Sequence, residues 1–400
     1  MQYNSSLRIN GARLFATLLM LGIFDGMDIS SMGQTLTRLS AALGLSSWQI
    51  GVCASASTLG LAIGAAFGGR LSDRFGRGAV VYVTVLLFGI CSVATAGAWD
   101  FRSLWVLRLI TGLGLGGLMP VLVAIASDTA SIRFRSTAIG LVMASGGLGG
   151  MLAGLVALHP KWQTVFIVGG LGPVAVLPLL PSFGTARNKG DDVASHNRLP
   201  VATVLFGSGR AGGTLAIWSI AFCTSLVSYV MINWLPSLLV RQGLGERYSH
   251  LVTIVYAAGG IVGNVTAGRL MDRGAGRLAY ALGYIGAGMG LLGLSAVGAA
   301  PAGIIACAFG VNLAILCAQL VTISLAASYY PAQARATGVG AMLAAGRIGS
   351  VVGPALIGAL LGGGVTASHA LQSLIPGLAV SLVLALVFER KAREATATAP

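Results

Sequence analysis

Apolar runs of about 20 residues alternate with short polar connections along the whole 400-residue chain. That run length is what an α-helix needs to cross the hydrocarbon core of a bilayer. Twelve such spans are predicted, at 14–35, 49–69, 79–98, 103–125, 137–157, 164–182, 213–239, 250–268, 278–299, 302–325, 337–361 and 370–388. The one long connection, 183–212, divides them six and six and carries Arg187, Lys189, Asp191, Asp192, Arg198 and Arg210. Three segments follow: an N-terminal six-helix half at 1–182, a central loop at 183–212 and a C-terminal six-helix half at 213–400. The remaining connections are too short for a soluble enzyme domain, so the expectation is an all-α membrane protein and not an enzyme.

Composition agrees. Lys, Arg, Asp and Glu make up 9% of the chain, about a third of the usual share. A soluble domain of this size would need more charge to cover its surface. The 59 glycines are scattered among Leu, Val and Ala rather than grouped with Ser and Pro, so they are not linkers. The net charge of +14 would suggest nucleic acid, were it not for where the charges fall. With the N-terminus in the cytoplasm, eighteen Lys and Arg lie in cytoplasmic segments and five (Arg38, Arg102, Lys161, Arg241, Arg247) on the other side. That bias places both termini in the cytoplasm and makes the basic balance a matter of topology. The first span carries Asp25 and Asp28 where a signal-peptide cleavage site would need small neutral residues. The five cysteines show no paired spacing and are read as small buried hydrophobes, and the four histidines are placed in loops, so no metal site is expected. Gly112, Gly114, Gly116 and Gly117 imitate a dinucleotide loop but sit inside a span, where close helix packing is their role.

The two halves repeat. GRLSDRFGR at 69–77 matches GRLMDRGAGR at 268–277, with one residue inserted in the second copy. RSTAIGLVMASGGLGG at 135–150 matches RATGVGAMLAAGRIGS at 335–350 at an offset of 200. Parallel six-helix repeats with a substrate site near the midplane are a transporter architecture. The loop between spans two and three, Gly69 to Arg77, resembles the signature of the major facilitator superfamily, and Gly268 to Arg277 is its weaker twin. Gly78 stands where that pattern ends in a basic residue, and Ala275 displaces a glycine in the second copy. The resemblance implies the major facilitator fold. It also implies a cytoplasmic gate that draws on Gly69, Asp73, Arg74, Gly76, Arg77, Arg135, Asp272, Arg273, Arg277 and Arg335, with Asp128 as a further gate charge.

FDGMDIS at 24–30 is similar to the Asp-Gly-x-Asp element of the aromatic acid:proton symporters. RLITGLGLGGLMP (108–120), INWLPSLLVRQG (232–243) and RATGVGAMLAAGRIG (335–349) look especially like the bacterial 3-(3-hydroxyphenyl)propionate transporters of that group. The resemblance implies a monomeric importer in the bacterial inner membrane. Its partners would be a small aromatic carboxylate, protons and lipid, with the proton gradient as energy source and no cofactor.

Four charges cannot be loop residues, and each costs about 2.5–3.5 kcal/mol at mid-bilayer on insertion scales. Asp25 and Asp28 share one helical face by their i, i+3 spacing. Two carboxylates so close in low dielectric disfavour double ionisation, as a proton carrier requires; alternatively, one of them pairs with Arg108 and ties spans one and four. Arg347 lies about 18 Å past Arg335 along span eleven. It is suited either to bidentate carboxylate binding or to a buried pair with Asp25 or Asp28. Arg108 is a charge-relay partner or a direct ligand. Tyr229, Asn233 and Trp234 on span seven, with Asn312 and Gln319 on span ten, could supply a stacking wall and donors for a ring hydroxyl. Helix–helix hydrogen bonding, or an interface anchor in the case of Trp234, is the alternative. Import by alternating access competes with a drug or metabolite antiporter and with a transporter-like sensor. The absence of proline from span five (GGLGGMLAG, 146–154) and the short tail after Phe388 count against these two respectively.

Overall fold

The computed structural model describes residues 2–130, 134–180, 201–207, 209–296, 301–330 and 335–397. The described chain is helical: α1 (Gln2–Leu43), α2 (Ser47–Phe75), α3 (Arg77–Thr95), α4 (Phe101–Thr129), α5 (Arg135–Ala157), α6 (Gln163–Val176), α7 (Val201–Phe206), α8 (Ala211–Arg241), α9 (Glu246–Asp272), α10 (Gly276–Ser295), α11 (Pro301–Tyr329), α12 (Arg335–Gly362), α13 (Ala367–Gln372) and α14 (Ile375–Ala397). Among the described residues, eleven helical stretches are long and apolar enough to cross a membrane, and a shorter apolar one runs from Gln163 to Leu179.

That shorter helix is the sixth span, and proline explains its length. Pro173 lies inside α6, and a 3₁₀ turn at Leu177–Leu179 closes it around Pro178; proline removes a backbone donor and crowds the preceding turn. The twelfth span is also broken. Its start forms α13, and α14 begins after two intervening residues with Pro376 in its first turn, the place where a missing N–H costs nothing. The central connection is not all loop either. Residues 201–206 form α7, whose last carbonyls, Thr203 O and Val204 O, accept bonds from Arg210. The rest of that connection, 181–200, lies outside the described residues.

Polar residues mark the helix starts. Ser46 and Gln49 form a reciprocal capping box on α2, and Asp100 and Ser103 do so on α4. The hydroxyl and N–H of Ser103 hold the Asp100 carboxyl below the usual carboxylate range. The turn between α2 and α3 is the single residue Gly76, at φ +88°. Its counterpart in the second copy is not the aligned Gly276, which starts α10, but Gly274 at φ +69°. Counted from the aspartate, the left-handed glycine comes three residues after Asp73 but two after Asp272, and Ala275 keeps a negative φ.

The chain forms two compact units, Met1–Lys189 with Gly245–Ile254, and Gly190–Leu244 with Val255–Pro400. The first turns of α9 therefore count with the first unit. Each unit is built on the same close helix pairs. In the first, a Cβ on Gly149 of α5 would lie 2.0 Å from the carbonyl oxygen of Ile23 on α1. In the second, a Cβ on Gly349 of α12 would lie 2.1 Å from the carbonyl oxygen of Phe222 on α8. Gly112 and Gly116 press α4 onto Ser57 and Leu61 of α2 in the same way. Such contacts substitute for the hydrophobic drive that lipid cannot supply between helices. Large apolar residues such as Val83, Leu86 and Ile90 of α3 are left outward.

The repeated glycines do not all carry this load. Nothing lies within 4 Å of a Cβ built on Gly140 or Gly340. Gly149→Val should therefore abolish a monodisperse elution peak in detergent, whereas Gly140→Ala should elute as wild type. Equal behaviour of the two variants would contradict the α1–α5 contact.

Candidate functional site

In the first unit, five helices converge on one buried ion pair. Arg108 of α4 and Asp28 of α1 are both fully buried. Arg108 Nη2 lies 3.0 Å from Asp28 Oδ2 and Nη1 lies 3.4 Å from Oδ1, a two-point contact between fork and carboxylate. Arg108 Nε donates to Ser57 Oγ of α2 at 2.8 Å. Ser92 of α3 donates to Asp28 Oδ1 at 2.6 Å. The Arg108 guanidinium sits 5.4 Å from the ring centroid of Phe166 on α6, within cation–π range. Asp25, one turn earlier on α1, is buried as well. Of the sequence candidates, the structure thus joins Asp28 to Arg108 directly; Ser57, Ser92 and Phe166 complete the cluster. Spacing along the chain could not reveal those three, because each comes from a different helix and none is unusual in a membrane span.

In the second unit, Arg347 of α12 donates from Nη1 to the hydroxyl of Tyr229 on α8 at 2.9 Å. Among the described residues of that unit, no carboxylate pairs with it. Asn233 turns back on its own helix and donates to Tyr229 O at 2.9 Å. Trp234 is fully buried, and its indole N–H donates to Pro354 O of α12 at 3.0 Å, so it anchors α8 to α12. Asn312 donates to Tyr256 O at 2.8 Å and joins α11 to α9. Gln319 is half-buried on α11.

The gate candidates are partly described. Arg77 at the start of α3 pairs with Asp128 near the end of α4. Asp128 thus ties the end of α4 to the neighbouring helix α3. Arg74 lies over the ring of Phe75 at 5.3 Å. Asp272, Arg273, Arg277 and Arg335 are exposed. Gly69 lies within α2, whereas the side chains of Asp73 and Arg135, and all of Arg133, lie outside what is described.

One cluster went unnoticed in the sequence, because α1 runs on to Leu43, past the predicted end of span one. Arg38 in this extension donates to Ala157 O at 3.1 Å and His159 O at 2.7 Å, and its Nε lies 2.5 Å from Glu246 Oε1. Next to it, His250 Nδ1 is 2.8 Å from Gln34 Oε1. His250 is therefore not a loop residue as expected; it is buried in the second turn of α9. The i, i+4 pair Glu246 and His250 was the available signal.

Comparison with known proteins fits this architecture. Residues 18–310 and 217–400 match the Major Facilitator Superfamily. The chain belongs to that superfamily. It is 36% identical to the 3-(3-hydroxy-phenyl)propionate transporter of Escherichia coli K12, with 96% of each chain covered. It is 33% identical to the gallate transporter of Pseudomonas putida, over 85% of this chain and 83% of that one. Among solved structures, a D-xylose-proton symporter superposes with a TM-score of 0.75 at 18% identity, covering 93% of this chain and 96% of that one. The nucleoside transporter NupG gives a TM-score of 0.78 at 14% identity, covering 94% and 99%. The protein is thus a multi-pass membrane transporter of the major facilitator fold.

Removing one partner of the Asp28–Arg108 pair leaves the other charge buried alone, which costs about 3–5 kcal/mol. Arg108→Leu should lower the thermal unfolding midpoint in detergent sharply, and Asp28→Leu combined with Arg108→Met should recover most of the loss. A double variant no more stable than Arg108→Leu would show that the pair is not the source of the cost.

Proposed function

We propose that this transporter imports an aromatic carboxylate of the hydroxyphenylpropionate type together with protons across the bacterial inner membrane, as a monomer with both termini in the cytoplasm. The observation that carries this reading is the contrast between its two deep arginines. Arg108 has its charge cancelled in place by Asp28. Arg347 is steadied by the neutral hydroxyl of Tyr229. A guanidinium oriented but not neutralised by its own unit is a receptor for an incoming carboxylate. The similar proteins are named for 3-(3-hydroxy-phenyl)propionate, gallate and 4-hydroxybenzoate, each a carboxylate on an aromatic framework.

In this reading Arg347 binds the substrate carboxylate and Tyr229 sets its orientation, while Gln319 and Asn233 are candidate donors to the ring hydroxyl. Trp234 contributes by fixing α8 against α12. Asp25 and Asp28 form the proton-coupling pair, with Arg108 as the partner that responds when the charge of Asp28 changes. Protonation weakens the Arg108–Asp28 attraction and so links proton uptake to the packing of α1 against α4. Alternating access then proceeds by movement of the six-helix halves, while the Arg77–Asp128 pair holds α3 to α4 within the first unit.

Uptake of labelled 3-(3-hydroxyphenyl)propionate into proteoliposomes tests the reading: an inward proton gradient should drive accumulation, and binding without accumulation would refute symport. Arg347→Lys keeps the charge and loses the fork, so substrate affinity should fall about tenfold, with a smaller loss for Tyr229→Phe; unchanged affinity in Arg347→Lys removes it from the site. Asp25→Asn and Asp28→Asn should reveal which aspartate couples, by the loss of gradient-driven accumulation with counterflow exchange retained. Full accumulation in both variants would exclude the pair.

A further inference from the structure

Any group that carries a proton through a protein needs surroundings that tolerate both of its charge states. Around Asp28 the neighbours divide by what they can do. Arg108 can only donate, and if the carboxylate loses its charge, the guanidinium keeps neutral partners: Ser57 Oγ at 2.8 Å, the backbone carbonyl of Asp28 at 3.5 Å and the face of Phe166 at 5.4 Å. Ser92 can do more. Its buried Oγ lies 2.6 Å from Asp28 Oδ1 and 3.3 Å from the carbonyl oxygen of Phe166. A hydroxyl holds one donor and two acceptor lone pairs, and its hydrogen turns without movement of heavy atoms.

Resting on the proton-coupled reading above, we infer that Ser92 is a positioning residue for proton coupling, a two-way hydroxyl that holds Asp28 in both its charged and its neutral form. With Asp28 ionised, the Ser92 O–H donates to Oδ1. When a proton from the aqueous phase forms an O–H bond at Oδ1, the acid donates to Ser92 Oγ and the Ser92 hydrogen turns to Phe166 O. Nothing is oxidised or reduced; the hydrogen-bond direction reverses and the proton leaves by the same bond. The other titratable or charged groups around this site are Asp25 on α1 itself, Arg108 on α4, Cys91 on α3 and, beside Arg108, Cys53 on α2. Helix α6 carries no titratable side chain, and α5 carries one only at its first residue, Arg135.

The charge-assisted bond to the anion is the stronger of the two, so loss of the hydroxyl penalises the ionised state more. The test is the pH profile of gradient-driven uptake of labelled 3-(3-hydroxyphenyl)propionate in proteoliposomes, normalised to each variant's own maximum. Ser92→Ala should move the midpoint to higher pH by about half to one unit, and Ser92→Thr, which keeps the hydroxyl, should restore the wild-type midpoint. Should Ser92→Ala fail to assemble, Ser92→Cys, whose thiol is a weak donor, should show the same upward shift. A wild-type protein that ignores the proton gradient overturns the symport reading. Wild-type coupling with an unmoved midpoint in the Ala or Cys variant overturns the role of Ser92 alone.

Discussion

A charge inside a bilayer must be either cancelled or used, and the rest of this structure follows from that constraint. The Asp28–Arg108 pair is its fullest expression. Five helices of the first unit meet at this pair, and each adds a group that a buried ion pair requires: a fork, a carboxylate, two hydroxyls and a ring face. A buried pair is an uncertain source of stability, since desolvation offsets much of the attraction. In the proposed symport its value lies in responsiveness. One proton more or less at the carboxylate changes the net charge of the cluster by a whole unit where water cannot screen it.

The second unit handles the constraint differently. Arg347 occurs where the first copy has Gly147, so the repeat supplied the scaffold and the second half added the cation. The unit holds that cation through Tyr229. On the reading proposed above, the two arginines divide the labour, one belonging to the internal charge balance and the other to an arriving anion. Identical backbones would not achieve this; the asymmetry lies in a few side chains on a duplicated frame.

That frame depends on glycine at particular heights rather than on glycine in general. Gly149 and Gly349 touch equivalent places in their units, on α1 and α8, at 2.0 and 2.1 Å from a carbonyl oxygen if given a Cβ. Gly140 and Gly340, which also coincide in the repeat, touch nothing. The matching strings looked alike in sequence, and only the packing separates the structural glycines from the permissive ones. The same holds for the turn after the second helix of each unit, where the left-handed glycine is Gly76 in one copy and Gly274 in the other.

The spans, their six-and-six division and the isolation of Asp25, Asp28, Arg108 and Arg347 were legible in the amino-acid order, because hydropathy and helical rise are local properties that need no partner. The local record misled where a boundary depended on long-range contact: α1 extends to Leu43, and His250 is buried in α9 beside Gln34 rather than lying in a loop. Partner choice was legible only in outline, since the sequence offered Arg108 to either Asp25 or Asp28 without choosing between them. That Arg108 takes Asp28, that Ser92 and Ser57 complete the pair, that Trp234 spends its N–H on Pro354 and that Asp128 meets Arg77 are all matters of which helices lie side by side. The sequence by itself determined which residues needed an electrostatic answer. Tertiary structure alone decided what the answer was, because hydrogen bonds and ion pairs act over a few ångströms in space, whatever the separation along the chain.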